Sequence, residues 1–429
     1  MKIRPFRAIR YDLEKVGDLS KVVAPPYDQI DPTTQSLLYA MHPHNIVRIS
    51  FGRDEPGDDG RRNRYERARG FLERWLGEGV LVEDPAPAIY PYHSTYRFGG
   101  EWVTRKGFIA MGELSEYADR IVLPHERTHI KPKEDRLRLL EATRADLGIV
   151  FMLHPDPDGR IEAALSEVTS APPFAEAIDL RGEQHRVWRV TEPRVIEAAQ
   201  RAMADCPVII ADGHHRYETA LDFRREHPET THKLMAFFAL EGPGLTIFPL
   251  HRLVRDIADF RWEAVRDRAG SNFEVRELIE LPVDGPAEPL AQALSAGFTG
   301  RDRFPVLVAG ARHAYLLSLR PGAFERIDWP AGTSPAWRRL AVSLLHEAIL
   351  RPHLKIDDEA LRLATHVDYT ANAEEAVRSI QEGRHQAAFL LPPVSPVELQ
   401  AVVQTGDLMP QKSTHFYPKL LTGLVMAHV

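Results

Sequence analysis

One cysteine, Cys206, stands in a chain of 429 residues. A lone thiol forms no internal disulfide, so the fold must rest on its hydrophobic core, with Cys206 as a small core residue. Long apolar runs are also missing. None approaches the roughly 20 residues that a membrane-spanning helix needs, and the start, Met1 to Arg7, lacks the apolar stretch of a signal peptide. Location in the cytoplasm, without a membrane partner, is the expectation. Positive charge is scarce as well: 54 Lys and Arg face 61 Asp and Glu, a net charge of −7. Nucleic-acid binders carry a basic footprint, and no helix-turn-helix is visible, so nucleic acid is not expected as a partner. Internal repeats and low-complexity tracts are absent too.

What is there reads as a globular protein, with 44% hydrophobic and 27% charged residues and a length that suits two or three domains. Apolar periodicity predicts helices over 64–76, 136–145, 161–169, 193–204, 214–225, 337–350, 373–383 and 396–405. It predicts strands over 88–92, 107–111, 149–153, 185–190, 208–211, 233–240 and 387–391, and a hairpin from 306–309 and 314–318. Residues 282–289 read as a loop. Alternation of strands and helices indicates a mixed α/β (α+β) architecture. A boundary near residue 245 divides it into an N-terminal α/β region, 1–245, and a C-terminal α/β region, 246–429.

Residues 207–221 carry the most chemistry. Val208, Ile209, Ile210 and Ala211 form a buried-strand run, Asp212 and Gly213 a sharp turn, and His214 opens a helix. Backbone N–H groups at a helix N-terminus have no intrahelical partner and favour an anion. Gly213 lets an oxygen approach the backbone, and His214, His215 and Arg216 add donors and charge. The pattern reads as a phosphate-type pocket with an acid, Asp212, beside it; the plain alternative is a turn and cap. A metal bound by Asp212, His214 and His215 is disfavoured, because adjacent residues at a helix start point in different directions.

Three other clusters qualify. Pro25 and Pro26 aim Tyr27 and Asp28. Pro124, His125, Glu126, Arg127, Thr128 and His129 precede a helix expected near Asp135, and Glu126 or His125 could act as a general base; a solvated charged loop is the alternative. Gly406 to Lys419 invites comparison with a phosphate-binding P-loop but fails it, since Gln411 stands where a second glycine is required. Lys412, Ser413, Thr414 and Lys419 still offer ammonium and hydroxyl groups to phosphate. The final stretch to Val429 reads as an apolar helix that docks this segment. His251, Arg252 and His346 are weaker candidates.

Together, Phe6 to Tyr11, Ala24 to Asp28, His125 to Thr128, Ala211 to Ala220 and Met409 to Lys419 resemble the prokaryotic family called domain of unknown function 1015. The Asp212-to-Arg216 core also resembles the phosphate motif of the ParB and sulfiredoxin-like superfamily, which includes free serine kinases. That resemblance implies a ParB-like phosphate-binding core. It implies that Gly213, His214, His215 and Arg216 hold phosphate, and that Asp212 faces the reacting hydroxyl or a magnesium ion. The expected function is phosphoryl transfer from diphosphate or a nucleotide to a small metabolite, free L-serine foremost. Lys412, Ser413, Thr414 and Lys419 would join the phosphate site, Tyr27 and Asp28 would grip the acceptor, and Mg²⁺ would accompany the donor phosphates. A non-catalytic nucleotide-binding regulator and a phosphate-releasing hydrolase are the alternatives.

Overall fold

The computed structural model describes residues 1–127, 130–281, 285–296 and 300–429. Thr128 and His129, and the start of the loop expected at 282–289, lie outside the described residues. The chain forms two compact units, one of Met1–Thr246 with Phe416–Val429, the other of Ile247–His415. Both mix helices and strands.

The first unit is built on a nine-stranded sheet. Across it run Val122–Leu123, Val208–Asp212, Val150–His154, His232–Ala239, Glu101–Glu113, Tyr90–Phe98, Gln184–Val187 and Ala175–Ile178, with Ile3–Arg4 added against Glu101–Glu113. Period-two alternation sorts the strand residues onto two faces. One face carries Phe108, Ala110, Val150, Met152, Val208, Ile210, Met235 and Phe237. It is covered by Ile161 and Leu165 of the helix Arg160–Thr169, by Val195, Ile196, Ala199 and Met203 of Pro193–Met203, and by Tyr217, Ala220 and Leu221 of His214–Glu226. The other face is more polar and aromatic. Cross-strand register places Tyr92, Arg105, His185, Phe151 and Phe238 there.

That second face is closed by the returning segment Phe416–Val429. Phe416 packs edge-on to Phe151, Tyr417 to Tyr96, and Ala427–His428 pairs with Ala145–Asp146. The helix expected at the end of the chain is therefore not formed. The segment is extended, with single bridges from Thr422 to Ala24 and from Met426 to Ile9. Pro418 lacks an amide hydrogen, and Gly423 sits at φ +96°, where an added Cβ would come within 3.2 Å of Ile46; neither suits a continuous helix.

The second unit has a six-stranded antiparallel sheet in the order Phe273–Glu280, His313–Leu319, Arg303–Val308, Ala387–Phe389, His251–Val254, Val367–Thr370. Leu290 and Leu294 of the helix Ala287–Ala296, with Val377 and Ile380 of Ala373–Gln381, bury Leu253, Leu307 and Ala388. The single helix expected over 337–350 is segmented into Pro335–Arg338, Ala341–Leu345, a π-helical turn His346–Leu350, and Arg351–Leu354. Pro352 supplies the reason: it cannot donate to the carbonyl four residues back, and the wider turn precedes it.

Candidate functional site

The site grows from the end of the strand Val208–Asp212. Its register against Val150–His154 shifts between Ile210, opposite Met152, and Asp212, opposite Phe151. Ala211 is the extra residue of this bulge. Without it, alternation would put Asp212 on the face of Ile210, in the hydrophobic core; the bulge turns Asp212 to the opposite face, beside Phe151. Gly213 then adopts φ +95°, a left-handed conformation that a side chain resists, and starts the helix His214–Glu226, which no side chain caps. An uncapped N-terminus directly follows a carboxylate.

Both oxygens of Asp212 are engaged. Lys419 Nζ donates to Oδ1 at 2.5 Å, and Arg216 Nη2 donates to Oδ2 at 2.6 Å. Arg216 lies one turn into the helix and folds back, its other terminal nitrogen donating to the Ile149 carbonyl. Burial by itself would raise the Asp212 pKa. Lys419 and Arg216 outweigh it and hold the carboxyl at about 2, while Glu126 opposes them.

Behind this cluster two imidazoles pack edge to face, His125 against His214. The backbone N–H of His125 donates to His214 Nε2 at 3.2 Å, which leaves the His214 proton on Nδ1, 3.3 Å from Glu126 Oε1. His125 Nδ1 is 2.6 Å from the Ile210 carbonyl, so it is the donor there. Burial, with help from His214, depresses the His125 pKa to about 4, and its ring is neutral. The Glu126 side chain, 37% exposed, faces solvent. His215 is half-buried.

Tyr27 and Asp28 belong to the same neighbourhood. They occupy a short 3-10 turn after Pro26. The Arg136 guanidinium lies over the Tyr27 ring at 4.1 Å, and burial raises the Tyr27 pKa. Asp28 is solvent-reachable. The enclosing protein and then the Asp212 charge raise its pKa, against Arg216 and Lys419. The structure thus brings Asp212, Gly213, His214, Arg216, Glu126, His125, Asp28, Tyr27 and Lys419 into one cluster. Lys412, Ser413 and Thr414 belong to the second unit. There Arg252 Nη1 donates to the Lys412 carbonyl at 2.9 Å, Ser413 Oγ donates to the Pro410 carbonyl, and the Lys412 side chain is exposed. In that unit His346 Nε2 accepts from Arg252 Nε at 3.2 Å, and His251 Nδ1 accepts from the Leu391 N–H at 3.1 Å.

Two cavities flank the cluster. One, of ≈ 60 Å³, is lined by Tyr27, Arg136, Arg216, Gly148 and the buried ion pair Lys233–Asp146. The other, of ≈ 180 Å³, is lined by Pro25, Pro26, Tyr417, Lys419, Asp179 and Glu183. Sequence reasoning missed Arg105, buried between the Phe151 and Phe238 rings at 4.5 Å from each. It also missed Asp146, Lys233, Asp179, Glu183 and His185. The one local signal for a missed contact was the four-residue spacing of Asp212 and Arg216.

Residues 3–343 match the model of the family described as "Protein of unknown function (DUF1015)". The chain belongs to the DUF1015 family. No curated protein matches this DUF1015 chain. Among solved structures, a conserved hypothetical protein from Pyrococcus furiosus is 14% identical, with a TM-score of 0.33, over 72% of this chain and 90% of that one. A free serine kinase in complex with AMP is 13% identical, with a TM-score of 0.34, over 72% and 86%. SbnI with a C-terminal truncation, from Staphylococcus aureus, is 11% identical, with a TM-score of 0.35, over 73% and 85%. Among the described residues, no helix is long and apolar enough to cross a membrane.

Proposed function

We propose that this DUF1015 protein is a phosphotransferase that moves a phosphoryl group from a nucleotide or diphosphate to the hydroxyl of a small metabolite, with free L-serine the first acceptor to test. One observation carries the reading: an ionised carboxylate, Asp212, clamped between Lys419 and Arg216 at the mouth of an uncapped helix N-terminus. Phosphoryl transfer asks mainly for positioning and charge neutralisation. The first N–H groups of the helix, Gly213, His215 and the Lys419 ammonium supply both for the transferring phosphate. When Lys419 turns to phosphate, Asp212 Oδ1 is released to accept a hydrogen bond from the acceptor hydroxyl. Arg216 keeps Oδ2 and so holds the carboxylate in place.

The hydroxyl oxygen forms the new P–O bond, the bridging P–O bond of the donor breaks, and the donor's remaining phosphate leaves with the electron pair. With a carboxyl held at about 2, Asp212 orients rather than takes the proton. Glu126, solvent-facing and backed by His214, accepts it. His214 and His125 are positioning residues in this scheme, and Asp28 with Tyr27 holds the acceptor's ammonium group. A magnesium ion brought in with the donor would be held mainly by the donor phosphates and water, as magnesium takes few protein ligands. When bound, that ion would neutralise phosphate charge.

The test is ³¹P NMR of the purified protein with Mg²⁺ and ATP, ADP or diphosphate, each with and without L-serine. A phosphomonoester signal that requires serine supports the reading and names the donor. In that assay Asp212→Asn and Glu126→Gln should each lower turnover by on the order of 10²–10⁴-fold, with donor binding retained. Lys412→Ala reads whether the second unit's loop contributes to donor affinity. Donor loss without acceptor would make the protein a hydrolase, and donor binding without turnover would make it a regulatory binding module.

A further inference from the structure

On the same sheet face as Asp212, the hairpin between Ala175–Ile178 and Gln184–Val187 gathers two carboxylates and an imidazole. We propose that Asp179, Glu183 and His185 form a binding site for one divalent transition-metal ion of the zinc class, separate from the phosphate site and independent of the phosphotransferase reading. One ligand atom from each residue lies within 4.8 Å of the other two. Side-chain movements on the order of 1 Å close such a set onto metal bonds of about 2.0–2.2 Å. Imidazole with carboxylate oxygen is a donor set that suits zinc.

The ring of His185 carries the argument beyond an acidic cluster. His185 is 0% exposed, and its Nε2 has no hydrogen-bond partner; the nearest acid oxygen, Asp179 Oδ2, stands 3.8 Å away. Glu183, 5% exposed, likewise has an unpartnered Oε1. Buried polar atoms left this way are costly, and both belong to side chains whose ligand atoms lie within 4.8 Å of one another. The other atoms of the set are already fixed. His185 Nδ1 lies 2.6 Å from the Tyr92 hydroxyl, and the two rings stack. An outer partner on the second imidazole nitrogen is the usual way a protein orients a metal-binding histidine. Asp179 Oδ1 accepts from the backbone N–H groups of Arg181, at 2.8 Å, and Glu183, at 2.9 Å, which leaves Oδ2 for the ion.

A carboxyl pair sharing one proton is the competing account. Burial and the Asp179 charge do push the Glu183 pKa up to about 8, even though Arg181 and Arg105 oppose the shift. Proton sharing satisfies the two acids but leaves His185 Nε2 without a partner. An ion satisfies all three. Asp179 and Glu183 also line the ≈ 180 Å³ cavity that Lys419 reaches, so the ion's remaining positions would open onto that space.

The experiment uses the full chain, free of affinity tag, stripped with chelator and desalted. Co²⁺ should bind at one equivalent with visible d–d absorption, and Zn²⁺ should displace it. Glu183→Gln and His185→Gln should each weaken Co²⁺ and Zn²⁺ binding at least tenfold, and Tyr92→Phe by about tenfold. Asp212→Asn should bind both as the parent protein does. Circular dichroism checks each fold; if His185→Gln fails to fold, the near-isosteric Glu183→Gln decides. Absence of stoichiometric binding in the parent protein, an absorption band that survives Glu183→Gln, or a band lost in Asp212→Asn would each overturn the proposal.

Discussion

Asp212 and His125 belong to one cluster but respond to acid in different ranges. The Asp212 carboxyl is held at about 2, below its ordinary 3.8. The unfolded chain therefore binds the proton first as pH falls, and the stabilisation from this ion-paired carboxylate is complete above about pH 4 and lost as pH falls through 2. The shift corresponds to on the order of 2 kcal/mol. His125 is also depressed, to about 4 from 6.5. Its neutral ring favours the folded state fully above pH 6.5, and that advantage declines down to about pH 4. Urea denaturation across pH should show both: His125→Gln should flatten the stability slope between pH 6.5 and 4, and Asp212→Asn the slope below 4. His93, at about 4, and His251, at about 3, would keep part of the remaining slope. Unchanged slopes in both variants would mean that neither group has the environment described. The roles of these residues were legible to different degrees. Asp212, Gly213 and the helix beyond them are local and could be read from the order of residue types. That Arg216 clamps Asp212 is a matter of rotamer, and that Glu126 meets His214 spans 88 positions between loop and helix, which no local pattern encodes.

At the scale of the element, the strand–bulge–turn–helix unit at 208–226 does the positioning. Its period-two and 3.6-residue signatures made the strand and helix readable, whereas the bulge at Ala211 was not, because a bulge is defined only against a partner strand. Gly213→Ala tests the turn. The new Cβ would occupy the left-handed region and come 3.0 Å from the Arg216 guanidinium. A loss of about 1–2 kcal/mol in urea denaturation is expected from the backbone alone, together with weakened donor binding as Arg216 is displaced. Alanine at full stability would show that the turn is not strained as described. The segmented helix 335–354 and the extended 416–429 mark where local reading stopped. The first follows from Pro352, which was visible but lay beyond the expected end. The second follows from pairing with Ile9, Ala24 and Ala145–Asp146, partners far away in the chain that override an apolar composition.

For the whole molecule, the informative fact is that the first unit is discontinuous. Phe416–Val429 lies over Phe151 and Tyr96 and delivers Lys419 to Asp212. The second unit has its own core around Leu294, Leu307 and Val377. A chain ending at His415 should therefore lose the first unit's cooperative melt, and a fragment of residues 247–415 should fold by itself with a single cooperative transition by circular dichroism; a native-like first unit without 416–429 would contradict the arrangement. Alternation of elements along the sequence conveyed the mixed architecture, but the return of the chain rests on contacts that cross the entire intervening unit. The same arrangement also sets an order of events on the ribosome. Translation passes through roughly 170 residues between the two parts of the first unit, which at about 5–20 residues per second is on the order of ten to thirty seconds. Throughout that interval the nascent Asp212 has no Lys419 to meet, the aromatic face that Phe416 will cover is open to chaperones, and a prematurely terminated chain never acquires the lysine at all.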